Sequence, residues 1–365
     1  MHARSARMGR YAASLAVGVS GLLLSGCLAP TEPGQQPADD PTTPAASSSA
    51  ADGGQPTLDW VEVGPVATTV VTSGDTNVTI TDGFGTLTMA GAETKLPRPR
   101  GYTAQEALLD DDFAVVVHQH DGESEPSTAT VVARADGRLL LVDGASEPAT
   151  VNGGTWALGT DDAGDGVLFH ATFGPGRTYC LAEHNLRTDA GRIVWCGSVG
   201  TGFNDARQTS AGLTVLSFTS GKPSCRTPLA IDVATGTATP VVGPEECAGW
   251  DSLLTDDGPV WSTVPNEKRI EEADFFATGD DGPIPLGTGD TGSLTWCAGA
   301  AYFTQQPQAD GDPARLLRWD GTALATVYET PGSPGFLSEP RCGGSAITIT
   351  ARSEGGDEQV TANLR

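Results

Sequence analysis

Two stretches decide the fold: G-P-V-A-T-T-V-V…V-T-I-T-D-G-F-G-T-L-T-M-A-G at 64–91 and G-P-V-W-S-T-V…A-D-F-F-A-T-G-D-D-G-P-I-P-L-G-T-G at 258–289. Both start at Gly-Pro, run into a short β-branched or aromatic segment, and return through an Asp-Gly turn. Asp-Gly and Gly-rich turns between such runs are the mark of hairpins. The same kind of run recurs as F-A-V-V-V-H at 113–118, G-R-L-L-L-V at 137–142, G-R-I-V-W at 191–195, L-T-V-L-S-F at 213–218 and A-I-T-I-T-A at 346–351. Helical periodicity is nearly absent. The one candidate is Thr103 to Leu109, where Thr103 and Glu106 have the spacing of a capping box.

Aligning the turns shows a repeat. An aromatic residue opens each unit, at Trp60, Tyr102, Trp156, Phe203, Trp250, Trp296 and Phe336, roughly 40 to 55 residues apart. Four short strands fit each unit, which is the content of a β-propeller blade. A four-stranded sheet cannot bury both faces alone, whereas radial stacking lets each sheet cover its neighbour. The expected fold is all-β: a propeller over 57–365 with seven blades, or six if the first unit is absorbed into its neighbours. A pair of β-sandwiches is the competing fold, but it needs no regular aromatic period. The last unit lacks a fourth strand, which residues near 57–63 are placed to supply as a latch.

The first 56 residues read differently. Arg4, Arg7 and Arg10 precede an apolar run ending near Leu24, too short to span a bilayer. Leu24-Ser25-Gly26-Cys27 then resembles the lipobox of bacterial lipoproteins. That resemblance implies a signal peptide over 1–26, cleavage before Cys27, and a diacylglycerol, with acyl chains such as palmitate, on its thiol. Residues 28–56 are rich in Pro, Ser, Thr and Ala and have little to bury, so 27–56 reads as a disordered tether. The Ala-, Gly-, Thr- and Asp-rich, Lys-poor composition resembles secreted lipoproteins of high-GC Gram-positive bacteria. The implied location is the extracytoplasmic face of the cell membrane, held by the lipid on Cys27.

The precursor carries a net charge of −25 at pH 7. Such a field repels a phosphate backbone, so nucleic acid is excluded as a partner. A neutral or basic partner, protein or cell-wall glycan, suits it better. Besides Cys27 there are six cysteines, Cys180, Cys196, Cys225, Cys247, Cys297 and Cys342. An even number in an exported chain points to disulfides. Six cysteines permit fifteen pairings, which spacing does not separate. Placement in the repeat suggests 180–196 and 225–247 as clamps on the outer part of one blade each. The pair 297–342 falls in adjacent units and would staple them near the ring closure.

The sequence offers no catalytic motif: no G-x-S-x-G, H-E-x-x-H, phosphate loop or dinucleotide glycine pattern occurs. Asp161-Asp162, Asp256-Asp257 and Asp280-Asp281 lack calcium-loop spacing and read as solvated turns. His118 and His120 share a strand face by period two, and His170 falls in the matching strand of the next unit. They are the only metal candidates, for zinc, nickel or copper, and His184 lies outside the group. No cofactor is expected. Phe173, Trp261, Tyr302 and Phe303 are candidate binding anchors in loops. The function expected is a non-catalytic binding or scaffolding module for an extracellular macromolecule. The alternative is a glycan-acting hydrolase or lyase, which Trp and acidic residues around a central depression would favour.

Overall fold

A computed structural model describes residues 58–364 apart from 123, 162, 222, 223 and 267. The segments expected to be a signal peptide and a tether, with Cys27 between them, lie outside the described residues. The described chain is all-β, with one short 3₁₀ turn at Pro175–Arg177. Five four-stranded antiparallel sheets follow one another, at 69–95, 156–196, 201–240, 249–290 and 295–329. A sixth, nine-stranded sheet contains the strands at 102–142 together with those at 335–363 and Trp60–Glu62.

The arrangement is a β-propeller, and the expectation of seven separate blades is corrected. Five blades stand as separate sheets. The strands at 102–142 and the C-terminal strands form one sheet through a single parallel pair, Gly343 opposite Leu109. A Cβ on Gly343 would stand 2.1 Å from the Thr72 carbonyl oxygen. Only a residue without a side chain lets the inner backbones approach so closely there.

Why these segments stack is legible in single strands. In Phe113–His120, Ala114 and Val116 join one core cluster with Val71, Val78 and Leu87 of the first sheet. Phe113, Val115 and Val117 join another, with Trp156 and Leu168 of the following sheet. Alternate side chains thus bury opposite faces, and each sheet needs two neighbours. Tyr302 and Phe303 do the same: Tyr302 packs with Ile347 and Val360, whereas Phe303 stacks on Phe275 at 4.2 Å between ring centroids. The hairpin turns carry the strain that glycine relieves. Asp82 at φ 50° and Gly83 at φ 72° link strands Thr76–Thr81 and Phe84–Met89.

The ring is latched as the missing fourth strand implied. Trp60–Glu62 pairs antiparallel with Glu358–Asn363, joining the two ends of the domain. The indole N–H of Trp60 donates to the Val327 carbonyl at 2.9 Å, and its ring packs edge-on against Tyr328. Buried Gln359 donates to the Thr68 carbonyl at 2.8 Å and to Thr350 Oγ1 at 2.9 Å. Thr72 Oγ1 reaches Thr361 Oγ1 at 2.6 Å. The opening aromatics are correspondingly divided. Tyr102, Trp156, Phe203, Trp250 and Trp296 lie on the first strands of their units, but Trp60 belongs to the latch and Phe336 stays 53% exposed.

The disulfides pair as expected: Cys180–Cys196, Cys225–Cys247 and Cys297–Cys342. The first links facing residues on the third and fourth strands of one sheet. The second ties the start of strand Arg226–Asp232 to the connection entering the next sheet, where Arg226 bridges Ala248. The third joins inner strands Thr295–Cys297 and Arg341–Gly343 of different sheets.

The segment 103–109 is not helical. It lies in the strand Tyr102–Leu109, which pairs with Phe113–His120. Capping-box spacing is a weak local preference, and burial of Ala104, Ala107 and Leu109 between sheets overrides it. A bulge between Ala104 and Glu106 hides the strand's period of two.

Candidate functional site

Residues on the inner strands enclose a central cavity of about 700 Å³. Its wall includes Thr69, Glu106, Trp156, Arg207, Trp250, Trp296 and Arg341, each from a different inner strand. Three inner strands are bulged where they bring charge toward the axis. The register shifts fall at Ala104/Glu106, at Asn204/Arg207 and at Gly249/Ser252, which span Glu106, Asp205 and Asp251. Asp205 has the left-handed φ of 55°. A bulge re-aims side chains that regular pleating would send between sheets.

One ion cluster is built into the wall. The Arg207 guanidinium donates to Asp205 Oδ1 at 2.9 Å, to Asp251 Oδ1 at 3.0 Å and to the Gly292 carbonyl at 3.1 Å. Asp251 is fully buried and also accepts from Ser262 Oγ at 2.7 Å and from the Gly292 amide at 3.1 Å. Burial works to lower the Arg207 guanidinium, but Asp205 and Asp251 outweigh it and raise it. Burial raises the Asp251 carboxyl against the pull of Arg207.

Glu106, Glu339 and Arg341 form a second, looser group. Among the described residues, no hydrogen bond or ion pair engages the Glu106 or Glu339 carboxylate, and Arg341 Nη1 is buried without a partner. Burial pushes Glu106 up to about 7, with Glu339 and Asp205 adding to it and Arg341 opposing it. Burial also raises Glu339 and lowers Arg341. Trp156, Trp250 and Trp296 supply the aromatic wall, and Arg226 stands 4.6 Å from the Trp250 ring centroid.

A pH test follows for Glu106. Its folded pKa is raised, so the native state holds a proton that the unfolded chain releases between about pH 4.5 and 7. Stability linked to this group is present below pH 4.5 and is lost as pH rises through 7. Glu106→Gln is therefore expected to stabilise the fold at pH 8 by on the order of 2 kcal/mol, with little effect at pH 4.5. Thermal unfolding of both proteins across that range measures it, and an effect independent of pH would contradict it.

The histidines are not brought together. His118 and His170 are buried on second strands, and His120 packs against Tyr102. His170 packs against Trp156 at 5.6 Å between centroids, and burial lowers it to about 4. Burial also lowers His118, while His184 Nε2 lies 2.9 Å from Asp189. Among the described residues no group of three or more His, Cys, Asp or Glu side chains is arranged to hold a metal ion. Of the loop aromatics, Trp261, Tyr302 and Phe303 are core residues, and Phe173 is 52% exposed with Arg177 over its ring.

The channel charges went unrecognised in the sequence, although a signal exists. Glu106, Asp205, Arg207, Asp251, Glu339 and Arg341 all follow an opening aromatic within one to five residues. Charge so close to the head of an inner strand marks the axis of the ring.

Fold and cavity together define a β-propeller with a ligand-sized central chamber. The fold is similar to the β-propeller domain of the Trilobed protease from Pyrococcus furiosus, with a TM-score of 0.55 and 10% identity over 81% of this chain and 94% of that one. It is also similar to an acylaminoacyl peptidase solved with Z-Gly-Gly-Phe-chloromethyl ketone, with a TM-score of 0.51 and 10% identity over 72% of this chain. The match spans 46% of that peptidase chain. At such identities the likeness is one of fold. No family model matches the sequence, and no curated protein matches it.

Proposed function

We propose that this protein is a lipid-anchored, extracytoplasmic propeller that binds a ligand in its central cavity without covalent chemistry. The observation that carries the reading is the 700 Å³ cavity with aromatic walls and unengaged charged groups. Ligand sites are typically concave, of about 300–1,000 Å³, with apolar walls and a few convergent polar groups. Asp205 and Asp251 are bonded to Arg207 and serve the wall, which leaves Glu106 and Glu339 to face a ligand. The ligand can be part of an extracellular macromolecule that inserts one group into the ring. The anchor is Cys27, and the tether over 27–56 gives the domain reach.

A glycan-acting enzyme is the second reading. Tryptophans and acids around a central chamber favour it, and a carboxyl near pH 7 suits an acid–base role. Titrating the purified chain with glycan panels, while following both heat and product, separates the two. No product is expected, whether or not a glycan binds. Turnover abolished by Glu106→Gln or Glu339→Gln would establish the enzyme instead.

Anchoring has its own test. Cys27→Ala is expected to move the protein from the membrane fraction to the soluble or secreted fraction. Unchanged membrane association in that variant would refute the lipid anchor.

A further inference from the structure

We infer that the central cavity receives an ammonium group, carried by a small organic amine or a lysine side chain of a partner, with Glu106 and Glu339 as its receptors. The inference rests on the reading of the cavity as a ligand site and adds the ligand's chemical class. Charge balance points to it first. Glu106, Asp205 and Glu339 line the cavity and Asp251 lies behind them, opposed by Arg207 and Arg341. Carboxylates therefore outnumber guanidiniums around one chamber, inside a chain of net charge −25. Such a field draws cations toward the axis.

The second observation is which carboxylates are free. Arg207 takes up Asp205 and Asp251 through direct bonds. Glu106 and Glu339 have no such partner among the described residues, and Arg341 acts on both only through its field. Glu106 is half-buried and Glu339 is exposed, so both carboxylates are uncommitted and open to a ligand. An incoming ammonium supplies the missing donors to both carboxylates. The third observation is the wall itself. Trp156 and Trp296 line the same space, and a wall with apolar content strengthens the pull of the carboxylates on a cation.

Proton linkage gives the inference a signature. Burial pushes Glu106 up to about 7, with Glu339 and Asp205 adding to it, Arg341 opposing it and the Arg207–Asp251 pair beyond. An ammonium beside Glu106 favours its ionised form. Binding is then accompanied by proton release near neutral pH, and affinity rises with pH.

Calorimetric titration of the purified chain tests this with putrescine and with an acetyl-Gly-Lys-Gly-amide peptide. Butane-1,4-diol and succinate are the uncharged and anionic controls. Saturable binding is expected for the amine, the peptide or both, and the tighter arm identifies the source. Affinity should rise by up to about tenfold from pH 6 to pH 8. Titrations in buffers of different ionisation heat should show proton release at pH 7. Glu106→Gln should weaken binding and abolish both the pH dependence and the proton release. Glu339→Gln should weaken binding and leave proton release in place. Circular dichroism and melting curves confirm that each variant is folded. Succinate binding in place of the amines, equal binding of diol and diamine, or unchanged amine binding in folded Glu106→Gln would overturn the ammonium assignment. Those results would leave the cavity a ligand site. If no amine, control or glycan binds, the binding reading and this inference fall together. Glycan turnover without amine binding would also overturn both, in favour of the enzyme.

Discussion

Arg207→Ala is expected to destabilise the folded domain by about 3–5 kcal/mol and to lower its melting temperature by roughly 10 °C. One side chain ties three parts of the ring. It leaves the inner strand Thr201–Thr209, bonds Asp251 on the inner strand Gly249–Leu253, and reaches the Gly292 carbonyl ahead of Thr295–Cys297. Truncation removes those bonds and leaves Asp251, which has no exposed surface, without a counter-charge. Ser262 and the Gly292 amide continue to donate to it but do not neutralise it. The remaining route is protonation, so the loss should be smaller at pH 5 than at pH 8. Lysine should not restore stability, because a single ammonium cannot reproduce the planar fork that spans Asp205, Asp251 and a carbonyl. Urea or thermal unfolding at both pH values measures the effect. A loss below about 1 kcal/mol would mean that the cluster behaves like an ordinary surface pair.

The paired replacement Cys297→Ser and Cys342→Ser is expected to cost about 4 kcal/mol. This bond closes the longest loop of the three, with a sequence separation of 45 against 22 and 16. Opening a longer loop returns more entropy to the unfolded chain. The bond also joins the inner strands of different sheets close to where the domain's ends are latched. Buried Cys297 lies in the same core cluster as Tyr302 and Ile347, so serine adds a packing and solvation loss. Removing Cys180–Cys196, which closes within one sheet, should cost less, about 3 kcal/mol. Equilibrium unfolding of the two double variants compares them. A larger loss for the 180–196 pair would show that loop closure does not govern the ranking.

Several features of this protein were local enough to read directly. Asp82-Gly83 sets a hairpin turn by its own backbone preference. Runs such as 113–118 declare strands buried on both faces, and their recurrence with opening aromatics calls for radial stacking. The missing fourth strand of the last unit required a latch, and Trp60–Glu62 supplies it. Cysteines placed at related points of the repeat suggested the pairs that form.

Other features depend on contacts between residues far apart in the chain. The joining of two strand groups into one sheet rests on the close approach of Gly343 to Leu109 and Thr72, which no periodicity encodes. Glu106 looked like part of a helix cap because its bulge breaks the two-residue alternation at that point. The cavity takes its charged and aromatic groups from strands tens of residues apart. Repeating local chemistry was therefore enough to specify sheets and their stacking. The identity and protonation of the channel groups came only from tertiary structure, because burial and mutual charge act across the closed ring.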